Sequence, residues 1–462
     1  CFGCGAGGDV FTFVQKIRKL DFVDAVRDLA GRYGVTLIET ESERDQFDKR
    51  STLLLLYQQA AEYFRHLLED PREGIVAREY LEKRGITAEL TEKFRLGYAP
   101  PVWDGLLRYL SKSAQVTNET LVEAGLVRRK PDSDHCYDLF RNRLMIPIQD
   151  EQGRVIAFGG RTLGDDQVKY LNSPESLIYT KGEHLFALNQ AKDAIREQDA
   201  VIVVEGYFDA ITCHAFGFNN TVAALGTALT ERQAKLLVRH TESKRVLLCF
   251  DADTAGARAV ERGMEVLTQV AEGVGIEMRV VRVPGAKDPD ECLRSNDAEA
   301  GLAGFAQAVD HAPLLIDYRL DLAVEGLDYR SSSGRLEAGS RIVPVLASLR
   351  SPIARAEYIR QWGAKLAISE EALLSEVGSY RRGKRLPAGE AQPGRQMLPA
   401  AKSAPKAGCG EAEIQLLALY LISEDDYNVM REKLAAETMI DPIHQRIKEA
   451  IEAVGKFATP ED

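Results

Sequence analysis

Five carboxylates stand at or just beyond the ends of apolar segments in the middle of the chain. Glu205 closes VIVVE, Asp251 and Asp253 follow RVLLCF, and Asp288 and Asp290 lie in KDPDE shortly after IEMRVVRV. Glu205 is followed by Gly206 and then Asp209. Acids gathered at one edge repel one another and lose hydration, a cost of several kcal/mol unless cations neutralise them. The oxygen-only ligand set suits hard ions, Mg²⁺ or Mn²⁺, which keep waters and accept phosphate oxygens as further ligands. That chemistry is phosphoryl or nucleotidyl transfer. Taken singly, each acid reads equally well as a helix N-cap or a surface loop residue; together, after three apolar segments, they read as a site. A calcium loop starting at Asp251 fails, because its fifth and twelfth positions are Ala255 and Arg262.

The elements that must carry these acids are three buried parallel strands with helix-like sequence between them. In such sheets ligands bind beyond the carboxyl ends of the strands. The pattern of Glu205-Gly206 with Asp209, then Asp251-Ala252-Asp253, resembles the TOPRIM domain. Bacterial-type primases, type IA and type II topoisomerases, some nucleases and a recombination-repair family share that domain. The expected fold class is α/β in a multidomain α+β chain, with a Rossmann-like parallel core flanked by a mixed α/β subdomain and a helical bundle.

Composition sets the frame. At 462 residues the chain has room for two to four domains, and 45% hydrophobic content supports real cores. No run of apolar residues is long enough to span a membrane and no signal peptide is visible. Seven cysteines, an odd number scattered mostly through apolar runs, fit a reducing cytoplasm. A net charge of −11 is weak evidence against nucleic acid, since phosphate contact depends on local patches. The chain opens on Cys1 rather than Met and is expected to be a fragment.

Cys1-Phe2-Gly3-Cys4 is half of a tetrahedral zinc site, backed by amphipathic helical spacing from Val10 to Leu29. Gly3-x-Gly5-x-x-Gly8 matches a dinucleotide fingerprint but follows no strand and is set aside. The polar run from Glu39 to Arg50 reads as a linker or exposed helix start. Residues 53–126 read as helical, and 139–182 as short strands with a hairpin turn at Gly153. Residues 311–381 are again helical. Residues 381–410, with seven basic residues against one acid and many Pro, Gly and Ala, read as a tether. EAEIQLLALYLI then resumes a helix. No Walker A sequence is present.

Phe140-Arg141-Asn142-Arg143, Phe158-Gly159-Gly160-Arg161, Lys169-Tyr170-Leu171-Asn172-Ser173-Pro174-Glu175 and Lys181-Gly182 resemble the polymerase domain of bacterial replicative primases. From this resemblance Arg141, Asn142, Arg143, Arg161, Lys169, Tyr170, Asn172, Ser173 and Lys181 are expected to contact nucleotide or template. Arg would grip phosphate by forked hydrogen bonds, Lys as a point charge, and Tyr170 would stack on a base. Gly159 and Gly160 would let the backbone approach a ligand. Composition alone shows no basic patch here, with six basic and five acidic residues over 139–182.

The resemblance implies template-directed RNA primer synthesis on single-stranded DNA from ribonucleoside triphosphates, by a monomer with no membrane partner. Glu205, Asp251 and Asp253 are the expected Mg²⁺ or Mn²⁺ ligands. Glu205 doubles as an acid or base, Asp288 and Asp290 bind or orient a further metal, and Asp209 supports them. Cys1 and Cys4 would be the last two ligands of a zinc ribbon, so this half-site should not hold Zn²⁺ tightly. The expected domains are 1–38, the second half of the ribbon; 50–198, the nucleotide and template subdomain; 199–285, the TOPRIM domain; 286–380, a helical subdomain; 381–410, the tether; and 411–462, the start of a domain docking on the replicative helicase. A topoisomerase would need a transesterifying Tyr in a further domain, of which the sequence gives no sign. A metal-dependent nuclease would share the acids and hydrolyse instead; a binding module would not need them all. The FRNR and KYLNSPES segments favour the primase.

Overall fold

The computed structural model describes residues 8–18, 22–33, 41–114, 116–131, 133–225, 229–249, 257–295 and 297–384. LLLLYQQAAEYFRHLL lies within one long helix, Glu41–Glu69, and residues 41–50 of the polar run before it are that helix's start. Leu53, Leu56, Tyr57, Ala60, Phe64 and Leu68 are buried, a stripe at three- and four-residue spacing that packs on a sheet. Tyr57 stacks on Phe158 with ring centroids 5.5 Å apart, and Phe64 meets the same ring edge-on at 5.4 Å.

That sheet is antiparallel. Its strands are β1 (Gly97–Ala99), β4 (Arg143–Gln149), β5 (Val155–Thr162) and β6 (Tyr170–Asn172), in the order β1-β4-β5-β6; β2 (Val127–Arg129) and β3 (Cys136–Asp138) form a separate hairpin. The turn joining β4 to β5 is where the sequence puts it, with Gly153 at φ +85°. Strand β1 was not legible: Gly97, Tyr98 and Ala99 interrupt what the sequence presents as continuous helix, and they pair with Met145, Leu144 and Arg143. β1 ends opposite Met145, so Pro147 falls where that edge of β4 has no partner strand to receive an N–H.

The second sheet is parallel throughout, ordered β10-β9-β7-β8 from β7 (Ala200–Val204), β8 (Thr221–Ala223), β9 (Arg245–Cys249) and β10 (Glu277–Val281). Three of its strands are the apolar segments read from sequence; β8 is too short to show a pattern. Alternate residues enter two different cores. Ile202, Val204, Leu247 and Cys249 join the core of the antiparallel sheet, while Val201, Val203, Val246 and Leu248 pack against helices on the far face. The two sheets therefore share one apolar interior. Helices Leu315–Val324, Ser332–Ser348, Pro352–Leu366 and Glu370–Lys384 enclose a third core around Ile342, Leu346, Ile359 and Trp362. Among the described residues no helix is long and apolar enough to cross a membrane.

His214 marks the shared interior. Its Nε2–H donates to the Thr221 carbonyl at 2.9 Å and its Nδ1 accepts from the Lys93 ammonium at 2.9 Å, which fits only the neutral ring. Burial, reinforced by Lys93, lowers its pKa to about 4. The unfolded chain then binds the extra proton between the ordinary value and about 4, so this stability is complete above the ordinary value and lost as pH falls toward 4. His214→Gln is expected to cost stability at neutral pH and to lose about 3 kcal/mol of that penalty in acid. Urea unfolding of both proteins across that range reads it directly; a penalty independent of pH would mean that His214 titrates normally in the fold.

Candidate active site

One cavity of about 1210 Å³ lies beyond the carboxyl ends of the parallel strands. Its lining mixes acids and cations: Glu205, Asp209, Asp288 and Asp290, with Glu291 and Asp297, stand among Arg84, Arg161, Lys169, Lys181, Lys287 and Arg294, beside Tyr170 and Asn172. Of the predicted site residues, Arg161, Lys169, Tyr170, Asn172, Lys181, Glu205, Asp209, Asp288 and Asp290 are therefore brought together. Asp251, Asp253, Cys1 and Cys4 lie outside the described residues.

The acids are not equivalent. Glu205 follows β7 directly and is half-buried. Asp209 stands in the first turn of helix Tyr207–Ala215 and accepts the Gly206 N–H at 3.0 Å, which fixes the loop that presents Glu205. Asp288 is the N-cap of helix Pro289–Leu293 and accepts the Glu291 N–H at 2.7 Å. The N-cap alternative thus holds for Asp288, which also lines the cavity. Asp290 has both oxygens occupied: Thr212 Oγ1 donates at 2.6 Å to one, and Arg84 Nη1 at 2.9 Å and Arg294 at 3.4 Å to the other.

Arg84, which ends helix Ile75–Lys83, carries no signal in sequence; its partner is 206 residues away. Its guanidinium lies 4.2 Å from the Phe208 ring centroid and donates to Tyr80 Oη at 2.6 Å. Arg161 lies 5.1 Å from the Tyr170 ring and 5.4 Å from the Tyr80 ring, and donates to Tyr170 Oη at 2.9 Å. Its Nε is buried with no hydrogen-bond partner among the described residues. Burial pushes the Tyr170 hydroxyl up to about 12, so it stays protonated.

The other predicted contacts sit elsewhere. Arg143 is buried and donates to the carbonyls of Gly160 at 2.9 Å and Val168 at 3.0 Å and to Asp166. Ser173 is buried and its hydroxyl accepts the Phe158 N–H at 3.0 Å. Asn142 has a left-handed backbone, φ +49°. Arg141 lies over Trp103 at 4.4 Å and Tyr137 at 5.2 Å, outside the cavity. Trp103 is 63% exposed, and the sequence alone gave no reason to single it out. Gly159 and Gly160 do not face a ligand. A Cβ on Gly159 would stand 2.4 Å from the Tyr207 ring, and one on Gly160 2.7 Å from the Phe140 ring; both glycines make room for the shared core.

Models of four families match the chain: the CHC2 zinc finger over residues 1–45, the DNA primase catalytic core N-terminal domain over 63–192, a Toprim-like domain over 202–293, and the DnaB-helicase binding domain of primase over 316–371. The DNA primase of Synechococcus elongatus is 37% identical over 431 residues, 91% of this chain and 60% of that protein; that of Halalkalibacterium halodurans is 39% identical over 83% of this chain and 63% of that protein. A solved DnaG primase catalytic domain bound to ssDNA superposes with a TM-score of 0.60 at 33% identity, covering 70% of this chain and 99% of that one. The chain belongs to the bacterial DNA primase family. It spans about three-fifths of the length of the curated relatives it matches.

The match to the primase helicase-binding family falls on the helical bundle at 316–371, not on residues 411–462, where the sequence reading placed it and which lie outside the described residues. For a divalent metal, the donor set is of the right chemistry, carboxylate oxygens at the end of a parallel sheet. Among the described residues no three acids gather closely enough to hold an ion. The described carboxylates therefore match Mg²⁺ or Mn²⁺ in donor chemistry without forming a closed ligand set among themselves.

Tyr207 donates to Asn172 Oδ1 at 2.8 Å across the floor of this site, with its ring over Gly159. Gly159→Ala must displace that ring, and is expected to cost about 1–3 kcal/mol in urea unfolding. A change below about 0.5 kcal/mol would show that the ring shifts freely.

Proposed function

We propose that the chain makes short RNA primers on single-stranded DNA by template-directed nucleotidyl transfer. What supports this is one cavity at the ends of the parallel strands whose lining brings Glu205, Asp209, Asp288 and Asp290 together with Arg84, Arg161, Lys169 and Lys181. A nucleoside triphosphate needs both kinds of group: cations for its phosphates and acids where the transfer occurs.

The 3′-hydroxyl of one ribonucleotide attacks the α-phosphate of the next, forming one P–O bond and releasing pyrophosphate. Glu205 takes the hydroxyl proton. A divalent ion, when bound at Glu205, Asp251 and Asp253, lowers the pKa of that hydroxyl and neutralises triphosphate charge. Arg161, Lys169 and Lys181, which all line the cavity, hold phosphate oxygens. Arg84 joins them, aimed by Asp290, whose committed oxygens favour this work over binding a metal. Asp209 fixes the Glu205 loop. Trp103, with Tyr137 and Arg141 beside it, stacks on a template base. Ribonucleoside triphosphates and single-stranded DNA are thus the substrates, and the reaction belongs in the bacterial cytoplasm. The replicative helicase is the partner of the 316–371 bundle, in keeping with its family match. The catalytic unit is proposed to work as a monomer, since one chain supplies both the acids and the cations of the cavity.

Incorporation of labelled ribonucleotides on single-stranded DNA with Mg²⁺ or Mn²⁺ tests this. Short RNA ladders are expected, and Glu205→Gln should lower their rate about 10²- to 10⁴-fold with an unchanged melting transition. Lys169→Ala should mainly raise the KM for ribonucleotide. Metal-dependent cleavage of the DNA without synthesis would replace the polymerase reading with a nuclease.

A further inference from the structure

Beside the Trp103 platform a buried carboxylate does what the local sequence leaves undone. Asp104 is the N-cap of helix Gly105–Ser113, where an Asp side chain normally accepts the first free backbone N–H groups, yet it makes no capping bond. Its carboxylate pairs instead with Arg108 at 3.2 Å. The free N–H groups go to Asp138 on β3: Leu106 donates to it at 2.8 Å and Leu107 at 2.9 Å. Asp138 is only 3% exposed, and burial pushes its pKa up to about 6. Ionising a carboxylate there costs free energy that a surface cap at Asp104 would not.

The rest of Asp138 shows what that placement does. Its backbone N–H donates to the Trp103 carbonyl at 2.7 Å, and its carbonyl accepts from the Arg141 guanidinium. Side chain, N–H and carbonyl thus hold the helix start after Trp103, Trp103 itself, and the guanidinium that covers one face of the indole. Tyr137, the neighbour of Asp138 on β3, meets Trp103 edge-on at 5.7 Å and completes the support. With Trp103 63% exposed, its remaining face is open to a nucleobase. We propose that Asp138 is the positioning residue of the template platform, locking Trp103 and Arg141 into the arrangement on which a single-stranded base stacks. This rests on the reading of Trp103 as a template contact.

The chain has two tryptophans, Trp103 and the buried Trp362, so Trp362→Phe leaves Trp103 as the sole indole reporter. In that background, oligo(dT) is expected to quench Trp103 fluorescence saturably. Asp138→Asn keeps the side-chain shape but can accept only one of the two N–H groups. It should weaken oligo(dT) binding about five- to tenfold and reduce the limiting quench, with the ribonucleotide KM unchanged. Leu107→Pro, which removes one N–H within the first helical turn, should do the same to a smaller extent and serves if Asp138→Asn does not fold. Trp103→Ala, followed by anisotropy of a labelled oligonucleotide, should weaken binding comparably, and adding Asp138→Asn to it should change little, because both act through one contact. Full additivity of the two changes, or unaltered binding in Asp138→Asn and Leu107→Pro while Trp103→Ala is defective, overturns the proposal. Unaltered binding in Trp103→Ala overturns the platform reading itself.

Discussion

Tyr207 is the contact on which the site depends. It lies two residues beyond Glu205, and its ring fills the space that Gly159 leaves open on β5. It also meets Phe186 edge-on at 5.0 Å and donates to Asn172 on β6. One side chain therefore fixes the loop at the end of the parallel sheet against β5 and β6, the strands that carry Arg161 and Tyr170. Burial raises its hydroxyl well above the usual range, so it remains a donor. Had the two sheets separate cores, the acids and cations would belong to bodies free to move apart. A shared, close-packed interior leaves no such freedom, because packed cores resist small displacements.

Electrostatics works within that constraint. Arg84 and Arg294 converge on Asp290, and Arg294 also donates to the Lys83 carbonyl at 3.0 Å. The side chains of Arg84 and Asp290 are only 20% and 16% exposed, so removing either would strand a partly buried charge. The pair costs desolvation, and what it secures is the direction of the guanidinium. The same duty recurs across the site: Asp209 and Asp290, both of which line the cavity, each hold a neighbour in place.

The sequence made the parallel sheet legible because three of its strands are buried on both faces and so appear as unbroken apolar runs. β8 and β1, three residues each, carry no period and emerge only through their partners. The acids were legible as strand-end and loop carboxylates, but their duties were not. Whether an Asp caps a helix, aims an arginine or faces a ligand depends on what the fold brings to it, as Asp288, Asp290 and Asp138 show in turn. Arg143 and Ser173 show the reverse case, buried and bonded to backbone groups. A residue within a matching motif can be one that builds the wall behind the site, and only burial and hydrogen-bond partners separate the two.

The cationic side shows why composition misleads here. Over 139–182 charges nearly balance, yet the fold sorts them: Asp166 and Asp150 are drawn off to Arg143 and Arg154, leaving Arg161, Lys169 and Lys181 on the cavity. A net charge of −11 then coexists with three cations of this segment, Arg161, Lys169 and Lys181, gathered on one cavity. A further cation of the cavity, Arg84, comes from a helix end more than a hundred residues upstream of Glu205. Local potential at this site is set by which acids are paired within the fold, so a polyanion can be accommodated by a chain that is acidic as a whole.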